Sequence, residues 1–338
     1  MTLESTWFFL WGLLWAVYFM TDGFDLGIGT LMPFLGKTEA DKRVMVNSIG
    51  PLWDGNEVWL LTAGGVTFAA FPQVYAVMFS SLYSALMLIL FALILRGVAF
   101  EFRGKVDSDG WRKVWDICIF AGSAVPALLF GVAFANIFRG IPIDQNGIYQ
   151  GSLFTLLNPY GLLGGLLFLI AFVLHGSLWL TTKARGELQQ RAVSAANRLW
   201  PALLAAAVIF LAASIFVTSL YANYLNNPIL FAVILLTVCA LLGIKFFLAK
   251  QAYFKAWCAS ALTIVGTTFY GIIGLYPKML PSNIDVAYSL TAHSSASSPQ
   301  TLKIMLMVVV LFLPVVLAYQ VWAYFLFKGE VTEKDMVY

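Results

Sequence analysis

Charge is what this chain has least of. Only 11% of its 338 residues are Asp, Glu, Lys or Arg, against roughly 25% in a soluble domain. The formal net charge of +3 is too small to argue for a nucleic-acid partner. Histidine occurs twice and cysteine three times. Cys118, Cys239 and Cys258 lie apart in apolar stretches and form no CxxC pair, so neither a disulfide framework nor a zinc site is supported, and free buried thiols are expected. "MTLESTWFF" has no basic n-region, so the first apolar run is expected to be a spanning helix and not a cleaved signal peptide. No Walker motif, dinucleotide fingerprint or nucleophile elbow occurs in a usable context.

What the chain has is hydrocarbon. Apolar residues make up 61%, and the mean hydropathy is +0.84. Runs that reach the ~20 residues of a spanning helix imply an all-α integral membrane protein. Nine such runs are expected: 7–35, 47–71, 74–98, 114–138, 159–182, 200–222, 228–248, 257–276 and 304–327. Loops after odd-numbered runs hold 17 of the 20 basic residues, among them Lys37, Arg103, Arg191, Lys245, Lys328 and Lys334, while Arg139, Lys278 and Lys303 lie on the other side. The positive-inside rule then puts the N-terminus outside and the C-terminus in the cytoplasm. Trp7, Trp111, Trp115, Trp200, Trp257 and Trp322 fall near run ends, as interfacial anchors do.

A weak internal repeat is visible. "GLLWAVYFMTDG" (12–23) aligns with "GLLFLIAFVLHG" (165–176), placing Asp22 over His175, and "FGVAFANIFRGIP" (130–142) aligns with "YGIIGLYPKMLP" (270–281). The expected organisation is two four-helix units of the same orientation plus one peripheral helix. Residues 1–142 form the first unit, 143–300 the second unit with an outer loop, and 301–338 the ninth helix and a cytoplasmic tail.

Four acids stand out within the apolar runs: Asp22, Asp25, Asp54 and Glu57. An ionised carboxylate in hydrocarbon costs a few kcal/mol or more, so it faces a cavity or a partner. Asp22 and Asp25 share adjoining parts of one helical face, as do Asp54 and Glu57, with Asn47 two turns before Asp54. By helical rise Asp25 lies about 16 Å and Asp54 about 11 Å from the cytoplasmic edge, so the two are expected to come within reach of each other or of a shared water. Gly23, Gly27 and Gly29 are expected to let another helix approach the Asp25 face. A carboxyl taken out of water holds its proton to higher pH, which suits it to a proton path from the cytoplasm. The plainer alternatives are a helix cap at a break beside Gly23 for Asp22, an ion pair with a basic residue, or hydrogen bonds from Glu57 to its neighbours. His175 is the one histidine within an apolar run and is read first as a hydrogen-bonded core residue, because a bis-His haem needs a second histidine at depth and His293 falls in the outer loop. Arg96, Glu101 and Lys105 close the third run, with Glu101 and Lys105 spaced for a surface pair. The serine-rich stretch 278–303 reads as an irregular cover. A proton-coupled secondary transporter is the competing function, although units of like orientation argue mildly against it.

"TDGFDLGIG" (21–29), "NSIGPLWDGNEVWLLTAGG" (47–65), "FAAFP" (68–72) and "RGVAFEFRGK" (96–105) together resemble subunit II of the cytochrome bd-type quinol oxidases. The resemblance extends through "WRKVWD" (111–116), "GVAFANIFRGIP" (131–142) and "YPKMLPS" (276–282), and residues 143–275 match mainly in hydropathy. It implies a terminal oxidase of a bacterial or archaeal cell membrane that oxidises quinol, reduces O2 to water and takes the consumed protons from the cytoplasm. It also implies that haems b and d sit on a partner, subunit I, that this chain is a scaffold ligating none of them, and that a small single-helix accessory subunit can join. Carried over, Asp25 and Asp54 are the proton-path acids, ahead of Glu57 and Asp22. Trp53 lies where some relatives hold a structural quinone.

Overall fold

The computed structural model describes residues 2–331, so Lys334 and most of the expected tail lie outside the described residues. Helix α1 (Leu3–Leu35) starts where the Thr2 hydroxyl accepts from the Ser5 amide and runs for 33 residues without a break, about 50 Å of continuous helix. A short α2 (Glu39–Ile49) follows, opened by a Thr38–Asp41 capping box. Then come α3 (Trp53–Ala70), α4 (Pro72–Ser81), α5 (Tyr83–Phe102) and α6 (Asp109–Arg139), the one-turn α7 (Leu153–Leu156), α8 (Pro159–Lys183) and α9 (Gly186–Val217). The chain ends with α10 (Tyr221–Asn226), α11 (Phe231–Ala249), α12 (Tyr253–Leu275) and α13 (Pro299–Leu326).

Among the described residues, eight helical segments are long and apolar enough to cross a membrane: α1, α5, α6, α8, α9, α11 with the turn before it (Pro228–Ala249), α12 and α13. The expected run 47–71 is not one helix. Asn47 belongs to α2, the chain turns through Gly50–Leu52, and Asp54 stands in the first turn of α3. Asp54, Asn56 and Glu57 in that first stretch make α3 less apolar than the eight. The run 74–98 is likewise divided, at Leu82, between α4 and α5.

Helices α1 and α8 pack on each other, and both pack on α6 and on α12. Around these four, α3 lies on α1, α5 on α6, α9 on α8 and α11 on α12. The α1–α8 crossing is set by glycine. A methyl group on Gly176 would lie 2.6 Å from the Ile28 nitrogen and 2.8 Å from the Phe24 oxygen, so no larger residue fits there. Gly23 faces Phe172 of α8 and Gly29 faces Ser123 of α6. The glycine side of α1 therefore admits α8 and α6, and it is not the side on which Asp25 finds its partner.

Helix α13 is peripheral, with Leu302 its one buried residue. The stretch 278–303, expected to be irregular, contains β1 (Lys278–Leu280) paired antiparallel with β2 (Leu290–Thr291). It closes one end of the bundle through Asn283 Nδ2 to Gly140 O at 3.0 Å, Ser282 Oγ to Ile143 O at 2.7 Å and Ser297 N to Ala70 O at 2.8 Å.

Candidate functional site

The acids meet where α1, α3, α5 and α13 adjoin. Arg96, carried by α5 into the interior, is fully buried. Its Nη2 donates to Asp22 Oδ1 at 2.8 Å and to Glu57 Oε2 at 3.0 Å. Asp22 is also fully buried, whereas the Glu57 side chain keeps 24% exposure. The ion-pair alternative for Asp22 is thus the observed one. No break exists beside Gly23 for it to cap, because the ladder of α1 continues through that point. Glu57 bonds to Arg96 in place of its sequence neighbours.

Asp25, one turn along α1, is fully buried and takes a different partner. Its Oδ2 accepts from Asn56 Nδ2 at 2.7 Å, and the Asn56 Oδ1 accepts from the Tyr324 hydroxyl of α13 at 2.8 Å. Gln320, one turn earlier on α13, accepts from Trp59 Nε1 at 3.0 Å and donates to Gly55 O at 3.3 Å. These polar bonds fasten the otherwise lipid-like α13 to α3. Four interior atoms of the cluster make no hydrogen bond of good geometry among the described residues: Asp22 Oδ2, beside the Tyr18 hydroxyl, Asp25 Oδ1, and Nε and Nη1 of Arg96. The nearby Tyr18 hydroxyl shares that condition.

Asp54 is not brought to Asp25. It is exposed, and the reason is helical phase. Asn56 points at Asp25, so a residue two positions earlier points about 200° away. The depth argument counted from Asn47 fails because the turn at 50–52 separates the two helices. Trp53, half-buried, rests on Phe100 with ring centroids 5.4 Å apart, and its indole edge covers Gly97.

His175 is fully buried and distant in kind from this cluster. Nε2 donates to the Met20 carbonyl at 3.0 Å, Nδ1 meets Ser260 Oγ at 2.5 Å, and the ring stacks on Trp257 with 8° between planes. With both nitrogens engaged, the imidazole is not presented as an axial haem ligand. No group of three or more His, Cys, Asp or Glu side chains suited to a metal ion occurs among the described residues. Among the described residues, His175 as it is held does not fit a haem iron.

Glu101 and Lys105 are both exposed, and the ordered charge at that end is Arg103 instead. It is 4% exposed, forks onto both oxygens of Glu39 at 2.7 and 2.8 Å, and reaches Asp116 at 2.6 Å. Lys42 joins Asp116 at 2.7 Å, and Arg191 joins Asp41 at 2.7 Å. Burial disfavours the Arg103 charge, but its bonds to Glu39 and Asp116 outweigh that and raise its pKa.

Sequence reasoning missed Arg96, Asn56 and Tyr324 as members of the site. Arg96 had a signal, being a single cation inside "LILFALILRGVAF" with four acids elsewhere in the membrane to answer. Asn56 and Tyr324 had none, since their roles depend on how two helices 268 positions apart are phased.

A family model described as cytochrome bd terminal oxidase subunit II matches residues 3–327. The cytochrome bd ubiquinol oxidase subunit 2 of Bacillus subtilis is 38% identical over 337 residues, covering 99% of this chain and 98% of the relative. A probable cytochrome oxidase subunit 2 of Haemophilus influenzae is 40% identical, covering 94% and 93%. The cytochrome bd-I ubiquinol oxidase subunit 2 of Escherichia coli K12 is 35% identical, covering 99% and 96%. Among solved structures, the bd oxidase of Geobacillus thermodenitrificans matches with a TM-score of 0.78 over 97% of this chain and 99% of that one, at 16% identity, a likeness of fold.

Proposed function

The chain belongs to the cytochrome bd terminal oxidase subunit II family, and from that premise we propose that it carries protons, on Asp25, towards the oxygen-reducing site of its complex. It is a multi-pass membrane subunit of a quinol oxidase, and its partner is a subunit I. Relatives named as oxidase subunits leave the transporter reading without support.

In this reading α3 is the ninth spanning element, the N-terminus faces outward, and the complex sits in the cell membrane of a bacterium or archaeon. Residues 1–142 and 143–300 are two like-oriented four-helix units, with 301–338 attached at the side. Haems b and d on subunit I supply the electron transfer to O2. A quinone against Trp53 and a small accessory subunit are further members of the same assembly.

Arg96 and Asp25 divide the work. A guanidinium stays charged throughout, and its bonds to Asp22 and Glu57 fix both side chains in place. Asp25 has no cation in contact. The Asn56 amide occupies Oδ2, so a proton on Asp25 resides on Oδ1, the oxygen that no other described residue engages. That free oxygen is the observation that carries the proposal. Asp54, exposed in the first turn of α3, is the entry acid, and Glu57, at the rim of the clamp, is an intermediate station of lower rank. Asp22 is structural.

The test is Asp25→Asn and Asp54→Asn in the purified complex. O2 consumption is expected to fall by roughly tenfold or more while the haem spectrum is retained. Unchanged turnover in both variants removes the proton role, and lost haem assigns these acids to assembly.

A further inference from the structure

The second unit contains a cavity that nothing in the oxidase reading uses. It lies between α8, α9, α11 and α12, with Phe19 of α1 at its base, and has a cavity volume of about 90 Å³. It runs from Ser260 to Tyr270 on α12, a length of about 15 Å. Its walls are aliphatic and aromatic, with Ala171, Leu203, Phe210 and Ile264 among them. The threonines that line it are chemically silent. Thr237, Thr263, Thr267 and Thr268 each give their hydroxyl proton to a carbonyl of their own helix, at 2.7 to 2.9 Å.

One polar group differs. The Tyr270 hydroxyl is buried, belongs to the lining, and makes no hydrogen bond of good geometry among the described residues, although the Tyr221 and Ser214 hydroxyls lie beside it. The protons of the neighbouring hydroxyls are committed elsewhere: Tyr221 to Leu211 O, Ser214 to Phe210 O, and Tyr224 to the carbonyl of Tyr270 itself. A buried phenol retains a strong preference for an acceptor.

The cavity has a definite direction of entry. Helices α9 and α11 are pinned together at one end, by Trp200 Nε1 to Leu241 O at 2.7 Å and Lys245 to Asn197 at 2.7 Å. Towards the other end the connector α10 folds onto α12 instead, through Asn223 and Tyr224. The slot between α9 and α11 therefore opens sideways at the Tyr270 end, flanked by the exposed Val208, Ile209, Leu235 and Val238. Between Arg198 and Lys245 the chain has no charged residue, so nothing there selects a charged headgroup.

We propose that this slot is a binding site for one acyl chain of a membrane lipid, inserted between α9 and α11, with a lipid ester carbonyl accepting from Tyr270. The chain fills a volume that aliphatic side chains leave open, and the carbonyl gives the Tyr270 proton a well-aligned acceptor.

Native mass spectrometry of the detergent-purified complex, with identification of extracted lipid, tests this. The wild-type complex is expected to retain one lipid that Ala207→Phe, which fills the slot, releases. Tyr270→Phe is expected to lower its retention several-fold. Haem content and oxygen consumption are expected to stay as in the wild type. No retained lipid in the wild type, equal retention in Ala207→Phe, or a quinone as the retained molecule overturns the proposal. Should Ala207→Phe fail to assemble, Tyr270→Phe decides, and retention equal to wild type overturns it.

Discussion

Helices α1, α3, α5 and α6 adjoin one another much as α8, α9, α11 and α12 do, yet the two groups handle buried polarity in opposite ways. In the first, Asp22 is ionic and answered by Arg96 and its second acid, Glu57. In the second, the aligned position is His175, a neutral ring held by Ser260 and the Met20 carbonyl. The first group fills its interior around charges and fastens α13 to them. The second has no charge between Arg198 and Lys245 and keeps a hydrocarbon-lined cavity. Similar packing thus serves both groups, and the difference lies in whether a buried polar atom is satisfied by a counter-charge or by a dipole. A counter-charge ties three helices to one another, and losing it strands ions in a low-dielectric setting. A dipole costs less to lose than a counter-charge.

That contrast is open to direct attack. Arg96→Met should have the largest effect. It leaves Asp22 and Glu57 without their cation, at a cost of about 3–5 kcal/mol. Loss of assembled complex in membranes is expected, with assembly restored when Asp22→Asn and Glu57→Gln are added. A failure of that rescue would mean that Arg96 serves something other than its two acids. His175→Ala should cost less, about 1–3 kcal/mol for a broken buried hydrogen-bond pair. It is expected as a lowered melting temperature of the complex with haem spectra intact; lost haem would refute the core-residue reading. Tyr324→Phe removes one neutral hydrogen bond, worth about 1 kcal/mol. Its expected signature is a modest fall in turnover in the otherwise wild-type complex and no further fall when it is added to Asp25→Asn. The smallest effect lies in the connector between the groups. Asp144 accepts from the Ile148 and Asn146 amides and from Gln150, which lowers its pKa. A depressed carboxyl stabilises its turn fully above the unfolded value of 3.8 and loses that contribution as pH falls through the folded value. Amide exchange at Asn146 and Ile148 should therefore quicken only in acid.

Much of this was legible in one chain's residues. Composition required membrane helices, and the acids in "TDGFD" and "WDGNE" marked the place where charge had to be answered. Two things were not legible. The turn through Gly50–Leu52 hides inside an apolar run, because Gly-Pro-Leu reads as hydrophobic while it ends a helix. That single turn reset the phase of α3, so Asn56 and not Asp54 faces Asp25. Arg96 was counted with the loop cations because it stands near the end of a run, although the helix continues past it to Phe102. Hydropathy locates spans within a few residues, and a site is decided by which side of the span each residue occupies.

The contact of Tyr324 with Asn56 has an implication for biogenesis. An amide can present either its oxygen or its nitrogen to Asp25, and the phenol fixes the choice by requiring the oxygen for itself. The group that orients Asn56 towards Asp25 is thus supplied by α13, 268 positions further along the chain. A nascent chain inserted through α12 already holds every acid of the cluster, but the surroundings of Asp25 are complete only when residue 324 has been made and α13 has docked on α3. Maturation of the site is in this sense coupled to the docking of a peripheral helix.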